Sequence, residues 1–215
     1  MEKLQNTLSD KDKKITDLET QVTTLKEDIV KYQVKFDDVE AENRSTAVII
    51  SGNKLPLESA NEDPIQIACD TINGALNKQL VAPANIMTGY RIGKKSSDRA
   101  ADERGILVKF CRRDDKHKIF TACKSVQPQN LYINESLIPA RAYVLYLLRK
   151  AKRVHSDKIS ACGSYNGRVY LYPKTSSHSA KNIKFYINTV EELDAWGERV
   201  CGVKLSGVAS DPPDH

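Results

Sequence analysis

Gly105-Ile106-Leu107-Val108-Lys109-Phe110-Cys111 is a short apolar run without helical period, and it reads as a strand. Residues 113–125 follow with Ile119, Phe120 and Cys123 at helical spacing, and Leu131-Tyr132-Ile133-Asn134 reads as a further strand. Upstream, Ile86-Met87-Thr88-Gly89-Tyr90-Arg91-Ile92 is a strand preceded by Pro83. Before it, Asp63 and Pro64 mark a helix start, because the carboxylate can accept first-turn N–H groups and proline has none to leave unsatisfied. Ile65, Cys69, Ile72 and Leu76 then fall on one helical face. Thr46-Ala47-Val48-Ile49-Ile50-Ser51-Gly52 supplies the first strand. The order is β-α-β-β-α-β over about 90 residues, the split β-α-β pattern of ferredoxin-like and RNA-recognition-motif (RRM) folds. Many unrelated functions use that pattern, so it does not by itself imply RNA.

Further upstream the period changes. Ile15, Leu18, Val22, Leu25, Ile29, Tyr32, Phe36 and Val39 recur in alternating steps of three and four, a heptad frame that predicts a coiled coil. The same frame reaches back to Leu8, Leu4 and Met1, with Lys11 as a polar break, and forward to Asn43. β-branched Ile15, Val22 and Ile29 alternate with Leu18 and Leu25, which favours a parallel dimer. Bulky Tyr32 and Phe36 make a trimer the alternative. In a parallel pair Lys14 of one strand faces Glu19 of the next, and Lys35 faces Glu40.

Downstream, Pro139 opens a helix with Ala142, Val144, Leu145, Leu147, Leu148 and Ala151, ending in Arg149, Lys150, Lys152 and Arg153. Ile159-Ser160-Ala161-Cys162 and Arg168-Val169-Tyr170-Leu171-Tyr172 flank Asn166-Gly167, a strong hairpin signal. Ile183-Lys184-Phe185-Tyr186-Ile187 is another strand. Thr189, with Glu192 three residues on, predicts a capping box for a last helix that buries Leu193 and Trp196. The fold expected is α+β: a parallel coiled coil over 1–44, an RRM-like domain over 45–135, a small α-β-β-β-α domain over 136–203 and a disordered tail over 204–215.

Charge is unevenly placed. Residues 1–44 carry eight Lys/Arg against eleven Asp/Glu, whereas 104–153 carry twelve against three. Positive charge concentrated in one folded segment suggests a polyanionic partner. Enzyme readings find no footing: there is no Gly-rich phosphate loop, no Gly-x-Ser-x-Gly elbow, and His117, His155, His178 and His215 lack metal-ligand spacing. No catalytic residue, metal or cofactor is expected. The five scattered cysteines read as reduced thiols, and the polar N-terminus lacks an apolar leader core. With no span of ~20 apolar residues, membrane insertion is not expected either.

Several pieces together resemble the baculovirus few-polyhedra (FP) protein family. They are Tyr90-Arg91-Ile92-Gly93-Lys94-Lys95, Ile106-Leu107-Val108-Lys109-Phe110 running into Arg112-Arg113-Asp114, Leu131-Tyr132-Ile133-Asn134-Glu135-Ser136-Leu137 with Pro139, and Gly167-Arg168-Val169-Tyr170. Related domains occur in first-reading-frame proteins of LINE-type retrotransposons. The resemblance covers about 44–195 and implies an RRM-like domain, a small C-terminal domain and an oligomerising coil. For the retroelement proteins it implies nucleic-acid binding, and for the viral ones a part in nuclear virion envelopment and occlusion. Nucleus and cytoplasm of a host cell are the expected locations. Unlike many RRM domains, the two strands that would carry stacking aromatics offer only Phe110, at a strand end.

The partner expected is single-stranded RNA or DNA, held in a cleft between the two body domains. Arg91, Lys94 and Lys95 are expected on one side, with Arg112, Arg113 and Lys116 nearby. Arg141, Arg149, Lys150 and Arg153 are expected from the helix after Pro139, and Arg168 from the hairpin. Such cations neutralise phosphates and release counterions. Tyr90, Tyr132 and Tyr165 are candidates to stack on unpaired bases. The competing expectation is a structural protein that contacts viral envelope or capsid components without binding nucleic acid.

Overall fold

The computed structural model describes residues 2–93, 104–174 and 184–208, the first eight of them by backbone alone. The chain divides into two compact units, Met1–Glu40 and Ala41–His215.

The first unit is one helix, the greater part of α1 (Glu2–Asn43). Thr16, Thr20, Thr23 and Thr24 tolerate the helix by donating their hydroxyls to carbonyls four residues back. All eight heptad side chains from Ile15 to Val39 are 47–69% exposed in the single chain.

In the second unit the elements run β1 (Ala47–Ser51), α2 (Pro64–Leu76), β2 (Ile86–Arg91), β3 (Ile106–Phe110), α3 (Arg113–Val126) and β4 (Tyr132–Glu135). They continue as α4 (Pro139–Val154), β5 (Ile159–Tyr165), β6 (Arg168–Pro173), β7 (Phe185–Tyr186) and α5 (Val190–Cys201). The first four strands form an antiparallel sheet in the order β2-β3-β1-β4. Side chains alternate across it. Val48, Ile50, Ile106, Val108 and Phe110 are buried against Ala68, Cys69 and Ile72 of α2 and Ile119 and Ala122 of α3. Burial of each large side chain of this set contributes roughly 1.5–3 kcal/mol. The other face carries Ile49, Leu107 and Asn134 in register with Tyr90, and Ser51 beside Tyr132.

Asp63 caps α2, its carboxylate accepting from the N–H groups of Ile65 and Gln66 at 2.9 and 3.3 Å. Thr189 caps α5 through its hydroxyl, which accepts from the Glu192 N–H at 3.2 Å. The expected reciprocal bond is displaced by one residue: Glu192 accepts from the N–H of Asn188 at 2.7 Å.

The second sheet, β5-β6-β7, is also antiparallel. Val169 and Leu171 of β6 point into a core with Val144, Leu147 and Leu148 of α4 and Leu193 and Trp196 of α5. The folded body extends past 204, where the disordered tail was expected to begin. Leu205 is fully buried in this core, and Ser206 bonds Asp194 through its N–H and hydroxyl at 2.7 and 2.6 Å. Gly197 makes room for it, since a Cβ there would lie 2.5 Å from Leu205. Residues 209–215 of the expected tail lie outside the described residues.

The two sheets are joined through Glu135, the last residue of β4. Its carboxylate accepts from Lys116 Nζ of α3 at 2.7 Å and from the N–H groups of Asn166 and Gly167 at 2.8 and 3.3 Å. Lys116 also donates to the Ser45 carbonyl, and Arg141 of α4 donates to the Gly167 carbonyl at 3.0 Å. The turn needs positive φ at both central residues, 51° at Asn166 and 75° at Gly167. Gly167 also lies within 3.3–3.4 Å of Ala41, measured from where a Cβ would stand.

Removing one partner of a buried ion pair costs about 3–5 kcal/mol. Glu135→Leu leaves Lys116 with the Ser45 carbonyl alone and strips two turn amides of their acceptor, whereas Lys116→Met leaves the carboxylate its amide partners. Urea unfolding is expected to show both variants destabilised by that order, with Glu135→Leu the worse. The reverse ranking would contradict the role given to Glu135.

Candidate functional site

Three of the cations expected at the interface are consumed inside the fold. Arg91 has a side chain only 3% exposed and pairs with Glu62 at 2.8 and 2.9 Å, while also donating to the carbonyls of Pro56 and Arg104. Its neighbour Arg104 pairs with Glu58 at 2.7 Å. These two pairs fasten the loop over 53–62 to the ends of β2 and β3, so Arg91 is a structural residue rather than a phosphate contact. Lys116 and Arg141, each 4% exposed, serve the Glu135 junction and are corrected likewise. A cation this deeply buried, with its donors turned to acceptors inside the fold, does not present its charge to a ligand at the surface. Lys94 and Lys95 lie outside the described residues.

The remaining candidates separate onto different surfaces. Arg112 is exposed at the start of α3, and Arg113 follows it, ion-paired with Glu42. Tyr165 and Arg168 stand opposite each other on β5 and β6. Tyr90 and Tyr132, 50% and 61% exposed, sit on the outer strands of the first sheet, on its uncovered face. Arg149, Lys150 and Arg153 belong to α4, which covers the other face of the second sheet. The expected single interface is therefore not formed by this set as a whole.

A cleft does lie between α3 and the second sheet. It has a volume of about 500 Å³. Arg113, His117, Phe120 and Lys124 of α3 form one wall, and Tyr165, Tyr170 and Tyr172 with Lys184 form the other. The strand period explains the second wall. Val169 and Leu171 are buried toward α4, so Arg168, Tyr170 and Tyr172 must face the opposite way. Register adds Tyr165 opposite Arg168 and Tyr186 opposite Tyr170. Gly163 lies opposite Tyr170, and a Cβ there would meet the phenol oxygen at 2.9 Å, so glycine lets that ring lie over β5.

Aromatic faces and positive charge converge here. Lys184 Nζ stands 4.2, 4.8 and 4.9 Å from the ring centres of Tyr170, Tyr186 and Tyr165. Tyr170 and Tyr172 meet edge to face at 5.6 Å, and His117 meets Tyr165 edge to face at 6.5 Å. Arg168 lies 5.9 Å from the Tyr186 ring. Burial pushes the Tyr170 phenol above its usual range, and Lys184 opposes that shift, so the ring is neutral at physiological pH. Of the acids lining the cleft, Glu135 is already engaged and Asp114 is exposed. Such a surface can stack planar rings and hold anionic groups.

Sequence reasoning named Tyr165 and Arg168 but missed Lys184, Tyr170, Tyr172 and Tyr186. The signal was present in the alternation of Arg168-Val169-Tyr170-Leu171-Tyr172. His117, read from sequence as a solvated residue on a polar helix face, is exposed and lines the cleft.

The cysteines carry no chemistry of this kind. All five are free; burial raises the thiols of Cys69, Cys123, Cys162 and Cys201, and Cys111 is exposed. Among the described residues no group of three or more His, Cys, Asp or Glu is placed to hold a metal ion, and no helix is long and apolar enough to cross a membrane. The chain matches no protein-family model and no curated protein.

The Arg91 pair makes a prediction that separates stability from binding. Hydrogen bonds from Arg91 hold the Glu62 carboxyl below its ordinary value of 4.5. A depressed carboxyl contributes stability above the unfolded-state value and loses it as pH falls through the folded-state value. The stability difference between the parent and Glu62→Gln is thus expected to be constant above about pH 5 and to shrink on acidification. Arg91→Met is expected to lower stability by about 3 kcal/mol while leaving nucleic-acid affinity per folded molecule unchanged. A large affinity loss with normal stability would restore Arg91 to the interface.

Proposed function

We propose that the protein is a non-enzymatic, oligomeric nucleic-acid-binding protein that takes single-stranded RNA or DNA, largely without regard to sequence. The strand lies in the cleft between α3 and the tyrosine face of the second sheet. The observation that carries this reading is the convergence of Tyr165, Tyr170, Tyr172 and Lys184 on one sheet face, opposite Arg113, His117, Phe120 and Lys124, with Arg168 and Tyr186 adjoining them outside the cleft. Bases stack on the rings and phosphates meet the cations, an arrangement that tolerates any base because each has a π-face. A duplex cannot use the rings, because its bases are already stacked on each other.

The sheet order β2-β3-β1-β4, read with its two helices, supports assignment of the first part of the body as RRM-like. We place the stacking surface on the second sheet, since Ile49 and Leu107 occupy the centre of the first. The exposed heptad stripe of α1 supports a parallel coiled coil, dimeric or trimeric, that links several bodies. Linked bodies raise the effective concentration of each cleft for a strand already bound at another. In biological terms this is a few-polyhedra-type viral protein acting in nuclear virion envelopment or occlusion, or a retroelement ribonucleoprotein component.

Binding of an unstructured oligonucleotide is expected to weaken linearly on a log–log plot against salt. Tyr165→Ala is expected to cost roughly 1–3 kcal/mol, about five- to 150-fold in affinity, and Lys184→Ala to reduce the salt slope by about one. Removal of residues 1–40 is expected to give a monomeric body with weaker binding. Truncation belongs after Glu40 because Ala41 and Glu42 pack on Gly167 and Arg113. No detectable binding at low salt by the full chain would contradict the proposal.

A further inference from the structure

We infer that the outer face of α4 is a second nucleic-acid-binding surface, separate from the cleft, so that each chain holds two strand segments at once. This rests on the nucleic-acid reading above and adds to it a second occupant of the same chemistry.

The argument begins with placement. The apolar side of α4, with Val144, Leu147, Leu148 and Ala151, packs on Val169 and Leu171 of the second sheet. The tyrosines of the cleft stand on the opposite side of that sheet, and no α4 residue lines the cleft. The sheet therefore lies between the cleft and the solvent face of α4. A strand in the cleft cannot reach Arg149 or Arg153 without passing around the sheet.

Composition and geometry then indicate what covers this face. Pro139–Val154 contains five Lys/Arg and no Asp or Glu. Arg141 is spent on the hairpin turn. Among the described residues, Arg149, Lys150, Lys152 and Arg153 form no ion pair. Complementing the helix dipole calls for cations in the last turn only, and Arg149 lies before it. The same face also carries aromatic surface. Tyr143 and Tyr146 stack at 6.3 Å with an interplanar angle of 22°, and Lys150 Nζ lies 4.8 Å over the Tyr146 ring. Tyr143 is 36% exposed. A helix face with uncompensated cations beside the exposed ring of Tyr143, itself stacked on the half-buried Tyr146, fits phosphates and unpaired bases, the same pairing of groups as in the cleft. An acidic protein segment would satisfy the cations but would leave the stacked rings unused.

Stoichiometry is the direct test. The full chain is titrated at low salt with a labelled single-stranded oligonucleotide of about eight bases, within the site size of one small domain. Two oligonucleotides per chain are expected. The double variant Arg149→Glu/Arg153→Glu is expected to bind one, with the cleft's affinity retained, and the milder Arg149→Gln/Arg153→Gln to weaken the second site at least fivefold. Tyr165→Ala/Lys184→Ala is expected to keep the α4 site and lose the other. One oligonucleotide per chain, unaffected by charge reversal on α4 and abolished by the cleft variant, would overturn this inference while leaving the proposed function standing. Absence of binding by the unaltered chain would overturn both.

Discussion

The carboxylate of Glu135 holds together the parts on which the rest of the body depends. It ends β4, takes a proton-bearing Nζ from α3 and receives two backbone N–H groups from the hairpin between β5 and β6. A strand of the first sheet, a helix and the hairpin of the second sheet thus share one buried anion. Its position fixes how far α3 stands from β5 and β6, and that spacing is the width of the cleft. The groups are nearly out of water, so the pair gains little net energy over an apolar substitute, but mispairing is strongly penalised. We regard it as a device for registry between the two sheets, with the turn at Asn166-Gly167 as the element it positions.

Alternation in β6 converts that registry into chemistry. Every second residue is spent on the core with α4 and α5, which leaves Arg168, Tyr170 and Tyr172 for the other side. The core thereby dictates that rings and cations appear together on one face. Lys184, immediately before the edge strand, stands among three rings and is half-buried. Under the proposed function, a phosphate would meet a cation already held among rings, and less side-chain entropy would be lost on contact.

Much of this was legible in the sequence. Heptad spacing marked α1, the Asp63-Pro64 pair marked the start of α2, and Asn166-Gly167 marked the hairpin, because each depends on local stereochemistry. The order of elements followed from periodicity. What could not be read was which cations remain free. Arg91 and Arg168 look equivalent in sequence, yet Arg91 meets Glu62 across twenty-nine residues and Arg168 stays exposed beside Tyr186. Pairing over such separations is a product of tertiary packing. Placement of α4 on the far side of its sheet from the cleft is likewise a three-dimensional fact, and it divided a set of cations that had been read as one group. Residues 204–208 belong to the folded body rather than to the expected tail, because Leu205 is buried in the core and Ser206 bonds Asp194, contacts made only by tertiary packing.

The central claim is that the tyrosine face of the second sheet is where a strand rests. Photocrosslinking of a single-stranded oligonucleotide to the full chain, with adducts located by mass spectrometry of its peptides, tests that claim most directly. The account predicts adducts on the peptides that contain Tyr165, Tyr170, Tyr172 and Lys184. Adducts confined to the peptides of Tyr90 and Tyr132 on the first sheet, with none on the second, would contradict it.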